Sequence, residues 1–102
     1  MKNAVWFISY ELNKGASEKD FLAVSKQLCD EHISKQKGYI SWKQFRDGKT
    51  WVDMATWQTM EDAVTFEKNS EVSEPLPIAQ KFYSFINFET LKSTYYTVEA
   101  SY

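Results

Sequence analysis

The residue types on which closed metal sites and disulfides depend are scarce in this 102-residue chain. It contains one histidine, His32, and one cysteine, Cys29. A closed zinc site needs several ligands drawn mainly from these two types, and a disulfide needs two cysteines, so the sequence excludes both within the chain. A lone cysteine is also typical of a reducing compartment, and we expect a cytoplasmic location.

The chain also has few glycines, a small net charge and no long apolar run. The three glycines are isolated from one another, so no Gly-rich phosphate loop exists and no nucleotide or other cofactor is expected. A net charge of −2 provides no basic stripe for nucleic acid. The first apolar stretch is interrupted at Ser9 and Glu11, so neither a signal peptide nor a membrane span is predicted.

Aromatic residues, in contrast, are abundant at 17% of the chain. All four tryptophans, Trp6, Trp42, Trp51 and Trp57, lie in segments with the character of strands. This is more ring surface than the core of a small domain needs, and it favours an interface or a pocket. The length suits one domain, which we expect to span residues 1–102.

Alternating and helical periodicities predict the order β-α-β-β-α-(α)-β. Alternation indicates a first strand over 4–12, a hairpin over 38–59 and a last strand over 88–100. The first helix should begin after Ser17 and end near Gly38, with one apolar arc. Its members are Phe21, Leu22, Val24, Leu28, Cys29, His32 and Ile33.

Two further helices are predicted after the hairpin. Thr59 followed by Asp62 has the spacing of a capping box, which marks the start of the second helix. Pro75 and Pro77 cannot continue that helix, but a proline is tolerated in a first helical turn, so a short third helix should follow.

The hairpin is the strongest local signal in the sequence. Asp47-Gly48 lies between two apolar-rich runs, and a two-residue loop centred on this pair, with φ > 0 at both residues, would place Asp53 opposite Trp42. Apolar side chains then occupy both faces. Ile40, Trp42, Trp51, Ala55 and Trp57 would share one face, and Tyr39, Phe45, Val52 and Met54 the other. Parity alone leaves open which face meets the helices.

The predicted order is that of the ferredoxin-like split βαβ arrangement, an α+β fold with a four-stranded antiparallel sheet and helices on one face. The other face would then need cover. A second copy of the chain is the commonest solution for such a patch, so we predict a homodimer that forms through the open sheet face.

The stretch 55–63, ATWQTMEDA, is a strand that ends in tryptophan and runs into a capped helix, and GYI at 38–40 opens the hairpin. With these features the chain resembles the dimeric α+β barrel superfamily, and within it the antibiotic biosynthesis monooxygenase (ABM)-like domains. The resemblance implies a dimeric barrel. It also implies a function among cofactor-free oxygenases of polycyclic phenols or quinols, haem-degrading enzymes and proteins without assigned activity.

One departure from that family bears on the chemistry. Many enzymatic members carry a histidine in or just after the second helix, where this chain has Phe66-Glu67. Haem degradation through such a ligand is therefore not expected, and a histidine-assisted oxygenase mechanism is weakened.

Two carboxylates lie where apolar residues are expected. Asp53 is flanked by Val52 and Met54 within a strand, and Glu67 falls on the apolar arc of the second helix. Asp53 either pairs with a cation, from Lys43, Arg46, Lys49 or a partner subunit, or has a raised pKa and acts as a catalytic base. Glu67 either pairs across subunits or at a helix end, or acts in the same way as a base. We take both as candidate catalytic residues.

The candidate ligand-binding residues are His32, Trp42, Trp57 and Tyr10. The alternative for each is structural and more common: His32 as a core or helix-end imidazole, and the rings as part of the core or the dimer interface. Cys29 fits a small buried hydrophobe better than a nucleophile, because no basic neighbour is evident.

Two functions remain open from the sequence. The first is a non-catalytic homodimer that binds a small apolar or aromatic molecule, which the missing second-helix histidine favours slightly. The alternative is a cofactor-independent monooxygenase acting on a phenolic or quinoid substrate, in which Asp53 or Glu67 takes the phenolic proton.

Overall fold

A computed structural model of the chain describes residues 2–72 and 76–102. The predicted order of elements is confirmed. The strands are β1 (Ala4–Leu12), β2 (Tyr39–Asp47), β3 (Thr50–Trp57) and β4 (Ile86–Thr97), and the helices are α1 (Glu18–Glu31), α2 (Met60–Val72) and α3 (Pro77–Ser84). A short 3-10 turn, Ile33–Lys35, follows α1.

The four strands form one antiparallel sheet in the order β2-β3-β1-β4. The two central strands, β1 and β3, are each followed by a helix, and the helices cover one face of the sheet. This is the predicted ferredoxin-like α+β fold. No helix within the described ranges is long and apolar enough to cross a bilayer.

Both helix starts predicted from capping residues are confirmed. The Ser17 hydroxyl accepts a hydrogen bond from the backbone N–H of Asp20 at 3.2 Å, and the Thr59 hydroxyl accepts one from that of Asp62 at 3.1 Å. Each bond satisfies one of the N–H groups that have no partner within the helix.

The predicted end of the first helix near Gly38 is wrong. The helix ends at Glu31, and His32 is its C-cap with φ of −135°, after which the chain tightens into the 3-10 turn. Leu22 is also 46% exposed, because the buried stripe runs through Phe21, Val24 and Leu28 instead.

The loop of the hairpin lies one residue further along than predicted. Gly48 and Lys49 are its two central residues, and positive φ occurs at Gly48 alone, at +60°. Glycine at the first central position is the requirement of a type II′ turn. The register therefore moves by two residues, so that Asp53 pairs with Gln44 and not with Trp42.

A register shift near the start of β2 corrects the predicted faces at two positions. The pairing slips between Tyr39 and Ser41, so Tyr39 lies opposite Trp57 and packs edge-on against its ring at 6.1 Å on the helix-covered face. Ile40 is 44% exposed. The other predicted face assignments hold, since a register shift of two preserves parity.

The short third helix is confirmed, whereas the start of the last strand differs slightly from the prediction. The helix spans Pro77–Ser84 with proline in its first turn. Strand β4 begins at Ile86, two residues before the predicted start at Phe88. Pro75, the other predicted helix breaker, lies outside the described residues.

The core beneath the helices is divided into two clusters. Near α1 and α3 it is filled with large side chains, including Phe21, Trp51 and Phe82. Near α2, three of its four buried members are alanines, Ala4, Ala55 and Ala63, and the fourth is Trp57. Larger, partly buried side chains pack around these small residues, among them Trp6, Trp42, Phe66 and Tyr95.

Candidate active site

A cavity of about 740 Å³ lies between the sheet and the helices. This volume is within the range of small-molecule binding sites. Side chains from all four strands and all three helices line it, and most of them are apolar or aromatic. The space beneath the helices is therefore not filled by the tryptophans.

Strand β3 forms the centre of the cavity floor. Asp53, Ala55 and Trp57 alternate on its covered face and all line the cavity. Ala55 pairs with Trp42 on one side and with Trp6 on the other, so a small residue lies between two indole rings.

The carboxylate of Asp53 is 4% exposed and accepts a hydrogen bond from the Tyr10 hydroxyl at 2.8 Å. Burial raises the pKa of Asp53 from 3.8 to about 7, although hydrogen bonds from Tyr10, Trp42 and Gln44 act in the opposite direction. Asp53 therefore changes charge near neutral pH inside a mainly apolar cavity.

Tyr10 remains protonated where Asp53 titrates. Burial, with the charge and hydrogen bond of Asp53 adding to it, raises the pKa of Tyr10 far above its ordinary value of 10. The phenol is therefore a fixed donor. Gln44 is oriented in turn by α1, because it donates to the hydroxyl of buried Ser25 at 3.1 Å.

The predicted cationic partners of Asp53 do not approach it. Arg46 forms an ion pair with Glu18 on the surface. Lys43 alternates onto the open face of the sheet, where it pairs in register with Met54, and Lys49 lies in the hairpin loop. Among the described residues, the groups in contact with Asp53 are uncharged donors, so none of these three cations pairs with it.

Glu67 reaches the cavity from α2. Its Oε1 accepts a hydrogen bond from the Tyr95 hydroxyl at 2.5 Å. Tyr83 lies near the same carboxylate, since burial and then the charge of Glu67 raise the pKa of Tyr83. Glu67 thus lies between two phenols, on a different element from Asp53.

His32 lines the cavity at the end of α1. Its Nδ1 lies 3.3 Å from the Gln36 amide nitrogen, and its ring lies 6.1 Å from that of Phe66. The structure thus brings all six predicted site residues to one cavity, namely Asp53, Glu67, His32, Trp42, Trp57 and Tyr10. Cys29 is not in the lining, and its sulfur contacts the Tyr39 hydroxyl at 3.4 Å.

Two indole nitrogens in the cavity wall have no hydrogen-bond partner within the described part of the chain. Nε1 of Trp6 and Nε1 of Trp57 are buried, and no acceptor among the described residues is within hydrogen-bonding distance. Buried donors are nearly always paired in folded proteins, so two such groups in one cavity indicate a place for ligand oxygens.

Trp6, Gln44 and Tyr95 contribute to the site but were not predicted to do so. Trp6 alternates with Ile8 and Tyr10 on one face of β1, so its parity with Tyr10 was an available signal. Gln44 and Tyr95 could not be found in this way, because their positions depend on strand register.

The described residues contain no group of three or more histidine, cysteine, aspartate or glutamate side chains that could hold a metal ion. The site consists of aromatic surfaces, two separated carboxylates and several uncharged donors. Such groups can bind a flat molecule, orient its oxygens and transfer a proton.

The fold matches those of several solved oxygenases. SnoaB, a cofactor-independent oxygenase from Streptomyces nogalater, has a TM-score of 0.72 at 14% identity, and the match covers 99% of this chain and 97% of SnoaB. The ActVA-Orf6 monooxygenase of Streptomyces coelicolor, solved with the ligand nanaomycin D, has a TM-score of 0.71 at 16% identity, with coverage of 99% and 91%.

An ABM-type protein from Nitrosomonas europaea also matches, with a TM-score of 0.67, 10% identity and coverage of 95% and 90%. No protein-family model and no curated protein sequence matches the chain. At these identities the likeness establishes the fold. The chain has the ABM-type α+β fold, as its sequence motifs predicted.

Proposed function

We propose that this protein is a cofactor-independent monooxygenase that oxidises a flat phenolic molecule in the cavity between sheet and helices. The observation that carries the proposal is the buried carboxylate of Asp53 in the cavity floor, held by the Tyr10 hydroxyl. The structural likeness to SnoaB and to the ActVA-Orf6 monooxygenase supports the same chemistry.

Asp53 has the properties of a general base for a phenol. Its pKa of about 7 leaves a substantial fraction ionised at neutral pH, and it is more basic than an ordinary carboxylate. A phenolic hydroxyl next to it can transfer its proton to Asp53 while Tyr10 continues to donate to the carboxylate. A flat molecule packed against the apolar walls would displace the water that otherwise competes for this proton.

Deprotonation makes the ring reactive toward dioxygen without a cofactor. The phenolate spreads its charge to the para carbon, and one electron passes to O₂, after which the two radicals combine to form a C–O bond. Protonated Asp53 then returns its proton to the peroxide. Loss of water from the resulting hydroperoxide leaves a quinone, so one oxygen atom enters the product, the other leaves as water, and Asp53 is regenerated.

The indole N–H of Trp57, which has no acceptor among the described residues, provides a hydrogen-bond donor for an oxygen of the reacting molecule. It lies on the same face of β3 as Asp53, with only Ala55 between them. A fixed donor in a site from which the bound molecule has displaced water stabilises developing negative charge on oxygen more strongly than water does.

We also infer that two copies of the chain pair through the open sheet face. Val5, Phe7, Val52 and Met54 form a half-buried apolar strip across the two central strands of that face. Phe45 and Tyr96 extend it on the edge strands, where they are 49% and 56% exposed. A two-fold interface is self-complementary and covers this strip on both copies at once.

The proposal is tested with 1-naphthol, a flat phenol whose para carbon is free. We expect the protein to consume oxygen and to form 1,4-naphthoquinone, with a rate that rises through about pH 7 as Asp53 loses its proton. Asp53→Asn should reduce the rate at least about 100-fold, the usual contribution of a general base. Asp47→Asn, an exposed carboxylate in the same hairpin, is the matched control.

Two other outcomes decide against the proposal. If 1-naphthol binds in the cavity but the wild-type protein consumes no oxygen above the protein-free rate, the protein is a binding protein for aromatic molecules. If the phenol does not bind at all, the proposed ligand class is wrong as well.

A further inference from the structure

The cavity holds a second set of polar groups, on the β4 side of β1. Trp6 of β1 and Glu67 of α2 both line the cavity, and Tyr95 of β4 connects them. The Tyr95 ring stacks on that of Trp6 with centroids 5.5 Å apart, and its hydroxyl donates to Glu67 at 2.5 Å. These three side chains come from three different elements and form one cluster.

This cluster is separate from the Asp53 site. In the sheet, Tyr95 pairs with Trp6, whereas Asp53 pairs with Ile8 in the next cross-strand row of the same face. Strand β1 lies between β3, which carries Asp53, and β4, which carries Tyr95. A flat molecule lying across β1 would reach both sites at once.

The hydrogen-bonding capacity of the cluster defines the group that it would accept. Nε1 of Trp6 is a buried donor with no acceptor among the described residues, so it lacks an oxygen. Tyr95 occupies Oε1 of Glu67, and a carboxylate has further lone pairs that accept from another donor. The missing group must accept from an indole and donate to a carboxylate.

A hydroxyl group satisfies both requirements. Its oxygen accepts from Trp6 while its hydrogen is donated to Glu67. A ketone or ether oxygen could satisfy only Trp6, and an ammonium group only Glu67. A ligand carboxylate would be repelled by the charge of Glu67.

We propose that Trp6 and Glu67 form a second hydroxyl-binding subsite, so that the ligand is a flat aromatic diol with one hydroxyl at Asp53 and the other at Glu67. The inference rests on the proposed function for the cavity and the class of ligand, but not on turnover. Glu67 is then a residue that positions the ligand, and Asp53 is the base.

The test compares ligands that differ by one hydroxyl group, under anaerobic conditions so that nothing is oxidised. The pairs are 1-naphthol with 1,5-dihydroxynaphthalene, and 2-naphthol with 2,6-dihydroxynaphthalene. We expect at least one diol to bind about tenfold more tightly than its mono-hydroxy partner, the size of one additional hydrogen bond to a charged group. Calorimetry measures both affinities.

Two variants test whether the additional affinity of the diol comes from the subsite. Glu67→Met keeps a side chain of similar length without acceptors and should bring the affinity for the diol within about twofold of that for the naphthol, both measured in this variant. Trp6→Phe should reduce the gain in affinity. The indole N–H signal that is missing from the ¹H–¹⁵N spectrum of this variant is that of Trp6, which assigns it in the wild-type spectrum. That signal should move when the diol binds, and that of Trp51, which is outside the cavity lining, should not.

The outcomes separate the two proposals. If the naphthols bind but neither diol gains affinity, or if the gain survives in Glu67→Met, the second subsite is wrong and the proposed function stands. If neither naphthols nor diols bind, the ligand class fails and the second subsite fails with it.

Discussion

On strand β3, the side chains under the helices are Trp51, Asp53, Ala55 and Trp57, whereas Val52 and Met54 face the open side of the same sheet. The covered face thus buries a carboxylate, and the open face leaves aliphatic side chains half exposed. In most proteins charged groups are exposed and apolar groups are buried. Both departures are costly for an isolated chain, one through desolvation and the other through apolar surface in water.

The difference between the two faces indicates two kinds of binding. A cavity with a buried carboxylate and unpaired indole donors suits a small molecule, which is enclosed and provides specific polar groups. A broad strip of apolar side chains without polar groups of this kind suits another protein surface. The predictions below alter one face at a time.

The largest effect is expected from Asp53→Asn, measured as stability against pH. The folded-state pKa of Asp53 is about 7 and its ordinary value is 3.8, so between these values the folded protein binds a proton that the unfolded chain does not. The free energy of unfolding therefore falls as pH rises through this window. Above it, the cost of the buried charge is on the order of 4 kcal/mol.

Asparagine accepts the same hydrogen bond from Tyr10 without a charge. The variant should therefore match the wild type at pH 4 and become more stable by several kcal/mol at pH 8.5, while it loses activity. Urea unfolding at the two pH values measures the difference, with Asp47→Asn as control. A variant less stable than the wild type at pH 8.5 would show that the carboxylate is not desolvated.

The second prediction concerns the open face. Met54→Lys places a charge beside Phe7 in the centre of the apolar strip, where a partner copy would have to bury it. We expect dimer dissociation to become at least about 100-fold more favourable, the cost of a poorly compensated buried charge. Light scattering against concentration measures this, and Thr50→Lys, at the exposed end of β3, is the control.

The cavity should be unaffected by that substitution unless the subunits share it. Met54→Lys should therefore retain the affinity of the wild type for 1-naphthol. A wild-type protein that is monomeric at micromolar concentration would remove the contrast between the faces, because the apolar strip would then have no partner.

Much of this arrangement could be predicted from sequence, because it depends on local patterns. Caps at Ser17 and Thr59 define the helix starts, and alternation along β3 places Asp53 with Trp57 whatever the exact register. The same alternation shows that Asp53, a charged residue, lies on a strand face that otherwise carries apolar side chains.

What could not be predicted depends on contacts between distant segments. The register of the hairpin depends on which turn position Gly48 occupies. The irregular pairing between Tyr39 and Ser41 places the first residues of β2 on the opposite faces of the sheet from those predicted. The partner of Asp53 is a tyrosine on β1, and its pKa depends on helices that close over it. Neither local propensity nor periodicity contains this information.

The smallest effect is expected from Tyr10→Phe, which changes the covered face by one hydroxyl. The Tyr10 hydrogen bond stabilises the charged form of Asp53, so its loss should raise the pKa of that carboxyl further, by about 0.5 to 1, the size of one hydrogen bond. The ring remains, so packing against Phe21 is retained. A ¹³C carboxyl titration of Asp53 measures the pKa directly, and the midpoint of the pH–rate curve for 1-naphthol should move upward with it. If the carboxyl pKa moves while the rate curve does not, Asp53 is desolvated but is not the base, and the reactive group must be sought elsewhere in the cavity.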